Sequence, residues 1–579
     1  MKKNILGILI SLFVISLTGC YDLDRFPQDK LSSSTYWNTE EQAVQAVNAC
    51  YVAMRQTEVF SQLFGMDCVS DIGFGYDAQG YLAISNGTFT STSTYASNRW
   101  AQTYEGVFRT NNVIRNVQEM DINEEKKSQI IGQAKFLRSL FYFFLMQHFG
   151  GVPLYDETTD YNKDYMDMLK PRNSEEETRA FILKDLTEAI NNLPVKWGSA
   201  DSGRATKGAA YALRGKVYLH NKQYDLAAKD FEEIVLDPES KGYGYELYPN
   251  YADLFTQTGH RSSEMIFSIQ TYFQVGYNLG MPYAHYMGSN ACIGTSWNNV
   301  MPSVELVDSY ECKDGKPFNW NDFIPGYNES TEVRVKTLRA TLAADLKSVA
   351  SYPEYYDELL AMYEQRDPRM KETIILPYTH YMGYVGGKNT LCEFVYATGI
   401  TTINGFIVVN RYSNSTYYLY LYRKFVPEGD MGISGLSRDH VPIDFPIIRY
   451  ADVLLMLAEC YNEQGKLGDA VQYINMVRQR PSVNMPGINS GPAWLEARTK
   501  EEVFKRIMHE RAVEFPAEGL RYYDIKRWGV AKALMNGDAT DALGNHIYYT
   551  KFEDKDNLWP IPSSEIDKNP SLTQNPGWQ

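Results

Sequence analysis

The sequence predicts a mostly α-helical, tetratricopeptide-like repeat scaffold that is interrupted by a large irregular insertion containing short strands. Two observations lead to this prediction. Two helix-forming segments match each other position by position, and helical periodicity mostly disappears in the long stretch between them. Matching segments of this kind indicate stacked helix pairs, because each pair buries its apolar face only against a neighbour.

The first matching segment spans residues 204–238, and its counterpart lies 243 residues further along the chain. Small residues at two positions let antiparallel helices approach closely, larger apolar residues fill the seam, and a closing proline cannot continue the helix. The matching positions are Gly215, Tyr218, Tyr224, Ala227, Phe231, Ile234 and Pro238 in the first segment, and Ala458, Tyr461, Leu467, Ala470, Ile474, Val477 and Pro481 in the second.

Apolar residues at helical spacing predict further helices on both sides of the insertion. These helices are residues 41–55, 99–118, 126–148, 175–193 and 500–515. Within the insertion, Gly, Pro, Tyr and Asn crowd together, and we expect mostly loops with one helix at 353–366 and strands at 264–272 and 416–425. Long loops that are held by a rigid scaffold commonly carry function.

The first twenty residues predict export and lipid attachment. Lys2 and Lys3 precede an apolar run, residues 5–17, that is shorter than the ~20 residues of a membrane-spanning helix but suits a cleaved signal. The run ends in Leu17-Thr18-Gly19-Cys20, which resembles a bacterial lipobox, so Cys20 would become the acylated first residue. The alternative is an ordinary signal peptide with a coincidental cysteine. Several acyl chains would anchor the protein firmly.

These features divide the chain into five predicted parts. They are a signal peptide (1–19), a lipidated N-terminus and tether (20–35), an N-terminal helical-repeat part (36–238), an irregular ligand-binding insertion (239–444), and a C-terminal helical-repeat part with an extended tail (445–579).

The composition favours a sugar ligand over nucleic acid. Removing Lys2 and Lys3 with the signal takes the formal net charge from −15 to −17, and an acidic surface repels phosphate backbones. The chain also contains 44 Tyr and 9 Trp, together with many Asn and Gly. Aromatic faces and amides suit stacking on sugars and hydrogen bonding to them, although most tyrosines will simply pack helices.

Motifs for catalysis are sparse, so we predict no catalytic residues, no metal ion and no cofactor. No two of the eight histidines are three or four positions apart, and no P-loop, nucleophile-elbow or dinucleotide motif occurs. One enzymatic alternative stays open, because a surface glycosidase needs only two carboxylates at the right separation. Asp67, Asp71 and Asp77 could in principle supply them.

Six cysteines remain besides Cys20, and they form no CxxC pair. Cys50 and Cys460 fall in apolar helical runs and are predicted to be buried free thiols. Disulfides among the other four stay open, since the sequence selects no pairing.

Four separated stretches resemble the SusD/RagB family of nutrient-binding lipoproteins, and the resemblance covers essentially the whole mature chain. We interpret three arginines within them, Arg138, Arg511 and Arg521, as partners of buried carboxylates. The stretches are Tyr36-Trp37 with its following helix, Ala134-Lys135-Phe136-Leu137-Arg138 through Phe149-Gly150-Gly151-Val152-Pro153-Leu154, Glu510-Arg511 through Glu518-Gly519-Leu520-Arg521-Tyr522-Tyr523-Asp524-Ile525-Lys526-Arg527-Trp528, and Trp559-Pro560-Ile561-Pro562 with Gln574-Asn575-Pro576-Gly577-Trp578.

The resemblance implies a lipid-anchored protein of the outer membrane in Bacteroidetes that faces the cell exterior. Such proteins act as lids on SusC-type TonB-dependent transporters, where they capture an oligo- or polysaccharide, or in some members peptides, without catalysis. Their helical repeats usually face the transporter. Their ligand site is commonly formed by the loop after the first helix together with the insertion.

In this sequence that loop is residues 67–98. Trp297 is the first choice for a ligand contact, because Ser296, Asn298 and Asn299 surround it with hydrogen-bonding groups. The candidate ligand-binding residues are Asp71, Phe74, Tyr76, Asp77, Tyr81 and Asn86 from the loop, and Tyr277, Tyr283, Asn290, Trp297, Asn298 and Trp320 from the insertion.

Overall fold

The computed structural model describes residues 36–76, 80–159, 165–294, 296–398, 401–403, 406–408, 411–412 and 415–578. The signal peptide, the tether with Cys20, and the candidate Asp77 lie outside these residues. Within them the chain is mostly helical, as predicted, and no helix is both long enough and apolar enough to cross a bilayer.

The helices before the insertion are α1 (Glu40–Ala53), α2 (Tyr81–Ser85), α3 (Thr94–Glu119), α4 (Glu124–Phe149), α5 (Tyr165–Met168), α6 (Glu175–Asn192), α7 (Lys207–His220) and α8 (Tyr224–Val235). Four of them, α1, α3, α6 and α7, contact one central helix, α4. Every residue of α4 from 132 to 146 is buried, with α3 and α6 packed on it. Thr39 and Ser174 begin α1 and α6 with capping boxes, which satisfy the free backbone N–H groups of each first turn.

The insertion consists of short elements, most of them only two to six residues long. Its helices are α9 (Tyr283–Met287), α10 (Val304–Ser309), α11 (Thr331–Leu338), α12 (Tyr356–Tyr363) and α13 (Arg369–Thr373). The strands, beginning with one in the loop after α1, are β1 (Gly73–Gly75), β2 (Met265–Ile269), β3 (Val300–Pro302), β4 (Thr341–Leu342), β5 (Val349–Ser351), β6 (Ile374–Ile375), β7 (His380–Val385), β8 (Lys388–Val395), β9 (Thr401–Ile403), β10 (Phe406–Val408), β11 (Arg411–Tyr412), β12 (Ser415–Thr416), β13 (Leu421–Tyr422) and β14 (Phe445–Arg449).

Two pairings define this region. Strands β7, β8, β10 and β9 form a sheet in that order, and β2 pairs antiparallel with β14, which brings the start and end of the insertion together. The predicted helix 353–366 is confirmed in shortened form as α12. The predicted strand 416–425 is largely wrong: only β13 and the last residue of β12 fall in it, because residues 418–422 are buried on both faces and do not alternate.

The C-terminal part returns to helices and ends in a short hairpin and tail. The elements are α14 (Tyr450–Glu463), α15 (Leu467–Arg478), α16 (Lys500–Glu514), α17 (Arg521–Arg527), α18 (Ala531–Leu534), β15 (Gly537–Thr540), β16 (His546–Thr550) and α19 (Ser563–Lys568). Short 3-10 or π turns lie at Thr57–Ser61, Leu63–Val69, Ser199–Asp201, Asp253–Phe255, Gln257–Gly259, Trp320–Asp322, Ala493–Leu495 and Asp554–Asn557.

The predicted helix repeat is confirmed to the residue. Helices α14 and α15 begin and end 243 positions after α7 and α8. The connecting turns also match, since Lys222 and Gly465 both have positive φ, at 57° and 77°. The two pairs are neighbours in space as well: α8 packs on α14, where the Tyr461 hydroxyl donates to Glu232 at 2.9 Å. The scaffold is therefore continuous, and the insertion loops out between its two repeat units.

A buried ion network fastens the insertion to this scaffold. The Glu514 carboxylate at the end of α16 accepts hydrogen bonds at 2.8 Å from each of Arg369, Arg449 and Arg480. Arg449 also binds Glu264, directly before β2, at 2.7 Å. Arg369 and Glu264 belong to the insertion, whereas Arg480 and Glu514 belong to the scaffold, so the network joins the two.

The six cysteines of the described chain are free thiols, which resolves the disulfide question that the sequence left open. Cys50 and Cys460 are buried, as predicted. Burial raises the pKa of the Cys50 thiol to about 12, so it stays protonated and unreactive at neutral pH.

Candidate ligand-binding site

The loop after α1 and the insertion meet at a short two-stranded sheet. Strand β1 pairs antiparallel with β3, so that Phe74 lies opposite Met301. Beyond the end of β1, the Tyr76 hydroxyl donates a hydrogen bond of 2.8 Å to the backbone carbonyl of Trp297. Candidates from both segments are therefore brought to one place.

At this junction an exposed tryptophan is held by two other rings, and we call Trp297, His285 and Tyr286 the Trp297 platform. The Trp297 side chain is 54% exposed. Its ring meets His285 edge to face at 4.2 Å and Tyr286 at 6.0 Å, and His285 stacks on Tyr286 at 4.6 Å. The backbone N–H of Trp297 also donates to the backbone carbonyl of His285 at 2.7 Å. The Trp297 ring is therefore held by two neighbouring rings and remains half-exposed.

Polar and charged groups surround the platform. The Arg438 guanidinium lies 5.9 Å from the centre of the Trp297 ring, and Asp439 accepts a hydrogen bond from His285 Nδ1. The Gln62 amide donates to the Tyr286 hydroxyl at 2.8 Å. An aromatic face with hydrogen-bonding groups at its rim can stack on one side of a sugar ring and bind its hydroxyls.

In the platform and in the two residues after Trp297, three buried polar atoms have no hydrogen-bond partner among the described residues. They are Oδ1 of Asn298, Oδ1 of Asn299 and Nε2 of His285. Asn298 also has a positive φ of 49°, and its amide nitrogen donates a hydrogen bond to Met301 Sδ at 3.5 Å. Leaving a buried polar group unpaired is costly, so each of these atoms requires a partner such as an ordered water.

Several sequence-selected residues are packed in the interior instead. Tyr81, Tyr283 and Trp320 are buried in the main core, and Phe74 lies in a small second apolar cluster. Tyr283, for example, stacks on Phe425 at 4.9 Å. A buried ring offers no face to a ligand, so we assign these four residues to the core rather than to the ligand-contacting surface.

The aspartates of the loop are also committed to the fold. Arg521 binds both carboxylate oxygens of Asp71, at 2.8 and 2.7 Å. Asp67 is buried, where its Oδ2 accepts the N–H of Ala517 at 2.6 Å, and burial raises its pKa to about 8. Asp67 is buried and Asp71 is ion-paired with Arg521. We therefore do not assign these two described members of the proposed glycosidase trio as a catalytic pair.

Among the other candidates, Tyr277 is 60% exposed on a hairpin that precedes α9, and Asn290 is half-buried in the loop after α9. Asn86 uses its Oδ1 to accept the N–H of Thr88 at 3.1 Å, which closes a turn. Sequence reasoning missed His285 and Tyr286. No pattern distinguishes Tyr286 from Tyr283 on the short helix α9, although one is at the site and the other in the core.

Comparisons with known proteins agree with this architecture. A profile described as the SusD family matches residues 263–578, and a profile described as starch-binding associating with outer membrane matches residues 23–219. SusD-like protein P2 of Formosa agariphila is 24% identical over 593 aligned residues, which cover 100% of both chains.

Two solved structures extend the comparison to three dimensions. A SusD-like carbohydrate binding protein from Bacteroides fragilis has a TM-score of 0.74 and 26% identity, covering 93% of this chain and 100% of its own. Surface glycan-binding protein A from Bacteroides thetaiotaomicron, in complex with laminarihexaose, has a TM-score of 0.64 and 20% identity, covering 92% of this chain and 99% of its own. These likenesses confirm the predicted fold class, and both proteins are named for binding carbohydrate or glycan.

Proposed function

The chain belongs to the SusD family, and from this premise we propose that it captures a glycan at the Trp297 platform and delivers it to a partner transporter without chemical conversion. The observation that carries the proposal is the fixed, half-exposed Trp297 ring at the contact of loop and insertion. The laminarihexaose complex of a structural relative supports a glycan as the ligand class.

The contacts that we propose are fewer than those selected from the sequence. Trp297 would stack on a sugar face, while Tyr76, Asn86 and Asn290 lie in the two segments that could supply hydrogen bonds. A ring that buries one sugar face contributes at most ~1.5–3 kcal/mol, so two or three such contacts give micromolar to millimolar affinity. The buried candidates Phe74, Tyr81, Tyr283, Asn298 and Trp320, and the ion-paired Asp71, are not among the proposed ligand contacts.

The proposal extends to location and partner. The lipobox at residues 17–20 supports lipid attachment at Cys20, and the matching outer-membrane profile supports the compartment. On the family resemblance, the cell exterior is the proposed location and a SusC-type TonB-dependent barrel the proposed partner. We likewise propose that 239–444 acts as the ligand-binding insertion between helical-repeat parts 36–238 and 445–579, after a signal (1–19) and a tether (20–35).

Replacing Trp297 by Ala tests the site. We expect glycan affinity to fall about tenfold, corresponding to ~1.4 kcal/mol, because the main stacking surface is lost. The thermal midpoint should change little, since the ring is half-exposed and lies outside the core. The measurement is retardation in native gels that contain laminarin or amylopectin, followed by calorimetry with whichever polymer retards the wild type.

Trp494→Ala is the matched control, because Trp494 is 41% exposed and lies in the segment before α16. It should bind like the wild type. Unchanged affinity in the Trp297 variant would place the site elsewhere. Sugars released from either polymer would support the glycosidase alternative, and retention of peptides but not of polymers would support a peptide-binding member of the family.

A further inference from the structure

An exposed hairpin shortly precedes the Trp297 platform in the chain and carries aromatic side chains that the proposed stacking contact does not use. It spans residues 271–280 and follows β2. The Tyr272 N–H donates to the Leu279 carbonyl at 3.2 Å, and Gln274 forms an antiparallel bridge with Tyr277. Gly276 turns the chain at the tip with a φ of +84°, which glycine adopts without strain.

The register of this hairpin places two tyrosines on the same face. Tyr272 is opposite Leu279 and Gln274 is opposite Tyr277, and paired residues and alternate residues of a strand share one face. Phe273 points the other way and packs against the core. Tyr272 and Tyr277 are 63% and 60% exposed, and as diagonal neighbours they lie within roughly 7–8 Å of each other.

The base of the hairpin is fixed, so this exposure is not the fraying of a loose loop. Arg55 donates to the carbonyls of Gln270 and Gly280, at 3.0 and 2.8 Å, and thereby clamps both ends. Asp444 accepts hydrogen bonds from the backbone N–H and the hydroxyl of Thr271, at 2.7 and 3.0 Å. The tyrosine face is held at a constant position on the body.

One segment connects the hairpin to the platform. Met281 and Val441 exchange two backbone hydrogen bonds of 2.8 Å, and the His285 N–H donates to the carbonyl of Arg438 at 3.1 Å. Residues 438–441 therefore hold both the hairpin base and the platform. Gly280 and His285 are five residues apart in sequence, which limits their separation to at most ~18 Å.

The side chains of the hairpin indicate which class of ligand would bind it. Residues 271–280 contain no charged side chain, on a protein whose formal net charge is −15. Exposed apolar surface that is contiguous usually marks a binding site. We propose that the 271–280 hairpin is a second sugar-binding surface, and that the ligand is a long, uncharged glycan chain running from the Trp297 platform across Tyr272 and Tyr277. This inference rests on the function proposed above.

The test compares polymer with trisaccharide. Native gels containing laminarin, amylopectin, galactomannan or xyloglucan identify the neutral polymer that retards the wild type. Calorimetry then measures that polymer and its own trisaccharide against the wild type, Trp297→Ala and the double variant Tyr272→Ala/Tyr277→Ala. Tyr549→Ala on β16 is the control, because Tyr549 is 69% exposed on a different hairpin.

We expect the double variant to bind the polymer roughly tenfold more weakly but the trisaccharide within about twofold of the wild type, because the trisaccharide fills only the platform. Trp297→Ala should weaken both, and Tyr549→Ala neither. Undiminished polymer binding by the double variant would overturn the hairpin inference and leave the proposed function intact. A wild type that no neutral polymer retards would overturn both. A hairpin variant that keeps polymer affinity but loses a membrane partner would show that the surface binds protein instead.

Discussion

Glu514 lies at the centre of the buried ion network that joins the insertion to the scaffold. Its carboxylate meets the guanidinium groups of Arg369, Arg449 and Arg480, all of them buried. Burial alone would raise the pKa of Glu514, but the three arginines outweigh it and lower the pKa to about 2. Removing one partner from such a network is costly because it leaves the other charges buried and uncompensated.

Glu514→Gln should therefore lower the free energy of unfolding by about 3–5 kcal/mol at pH 7, measured by urea denaturation. The effect should depend on pH. The folded pKa of Glu514 is below the unfolded value of about 4.3, so its contribution is complete above pH ~5 and is lost as the pH falls towards 2. The gap between wild type and variant should narrow over that window.

Glu501→Gln provides the control, because Glu501 on the same helix α16 is exposed and forms only a surface ion pair with Lys505 at 2.8 Å. Its substitution should change stability by no more than about 0.5 kcal/mol. Equal effects of the two substitutions would contradict the role assigned to Glu514.

The sequence predicted correctly that three arginines pair with carboxylates, but it did not predict which aromatic candidates are exposed. Arg138, Arg511 and Arg521 each pair with a buried or half-buried carboxylate, at 2.7 Å in every case, as predicted. A charge inside a helical apolar run must have a partner, so its role can be inferred. Tyr283 and Trp297 carry no such constraint, because an aromatic ring suits a core as well as a sugar. Only the packing decides which one is exposed.

At the scale of elements, the two helix pairs have different residue combinations at the seam between their helices. A Cβ placed on Gly215 would lie 2.5 Å from the ring of Phe231 across the α7–α8 seam. The second unit has Ala458 and Ile474 at the equivalent positions, so the larger residue on one helix accompanies a smaller one on the other. The pair of residues, rather than either alone, sets the distance between the helices.

Gly215→Ala should destabilise the protein, because overpacking costs about 1–3 kcal/mol and outweighs the gain of up to ~1 kcal/mol in helix propensity. Adding Phe231→Ile, the combination found in the second unit, should relieve the clash. A double-mutant cycle by thermal denaturation should give a favourable coupling of at least ~1 kcal/mol. Strict additivity within about 0.5 kcal/mol would contradict the shared-seam explanation, and Ala458→Gly, which removes a methyl group, should show no comparable coupling with Phe231→Ile.

The elements could be predicted from the sequence wherever one physical pattern dominated. Apolar residues at helical spacing and a constant repeat offset located the helices to within about five residues at each end. The elements of the insertion were predicted less well. Successive residues such as Tyr418 and Leu419 are both buried, so polar and apolar residues do not alternate there and the pattern does not distinguish a strand from a loop. The contact between α8 and α14 could not be predicted from local sequence patterns either, because the two helices are far apart in the chain.

At the scale of the whole molecule, capture and delivery make different demands on the chain. Capture needs only the folded body, whose radius of gyration for a mature chain of this size is roughly 24 Å. Delivery, as proposed, also needs the body to stay beside its transporter while it opens and closes. Sixteen residues, 20–35, separate the proposed lipid from Tyr36 and could reach at most ~55 Å at full extension. That reach is comparable with the diameter of the body, so a lipid at Cys20 would permit the proposed lid to swing while holding it at a high effective concentration.

Cys20→Ala should therefore separate the two steps. The variant should be exported without lipid, should no longer sediment with outer membranes, and should bind polymer in native gels as tightly as the wild type, because the Trp297 platform is untouched. Growth on the bound glycan should fail or slow strongly, since the local concentration beside the barrel is lost. Mild detergent extraction should recover the wild type, but not the variant, with a TonB-dependent barrel. Undiminished membrane association of the variant would refute lipidation at Cys20. Normal glycan uptake by a strain lacking the whole protein, together with isolation of the wild type alone in several gentle detergents, would refute the lid.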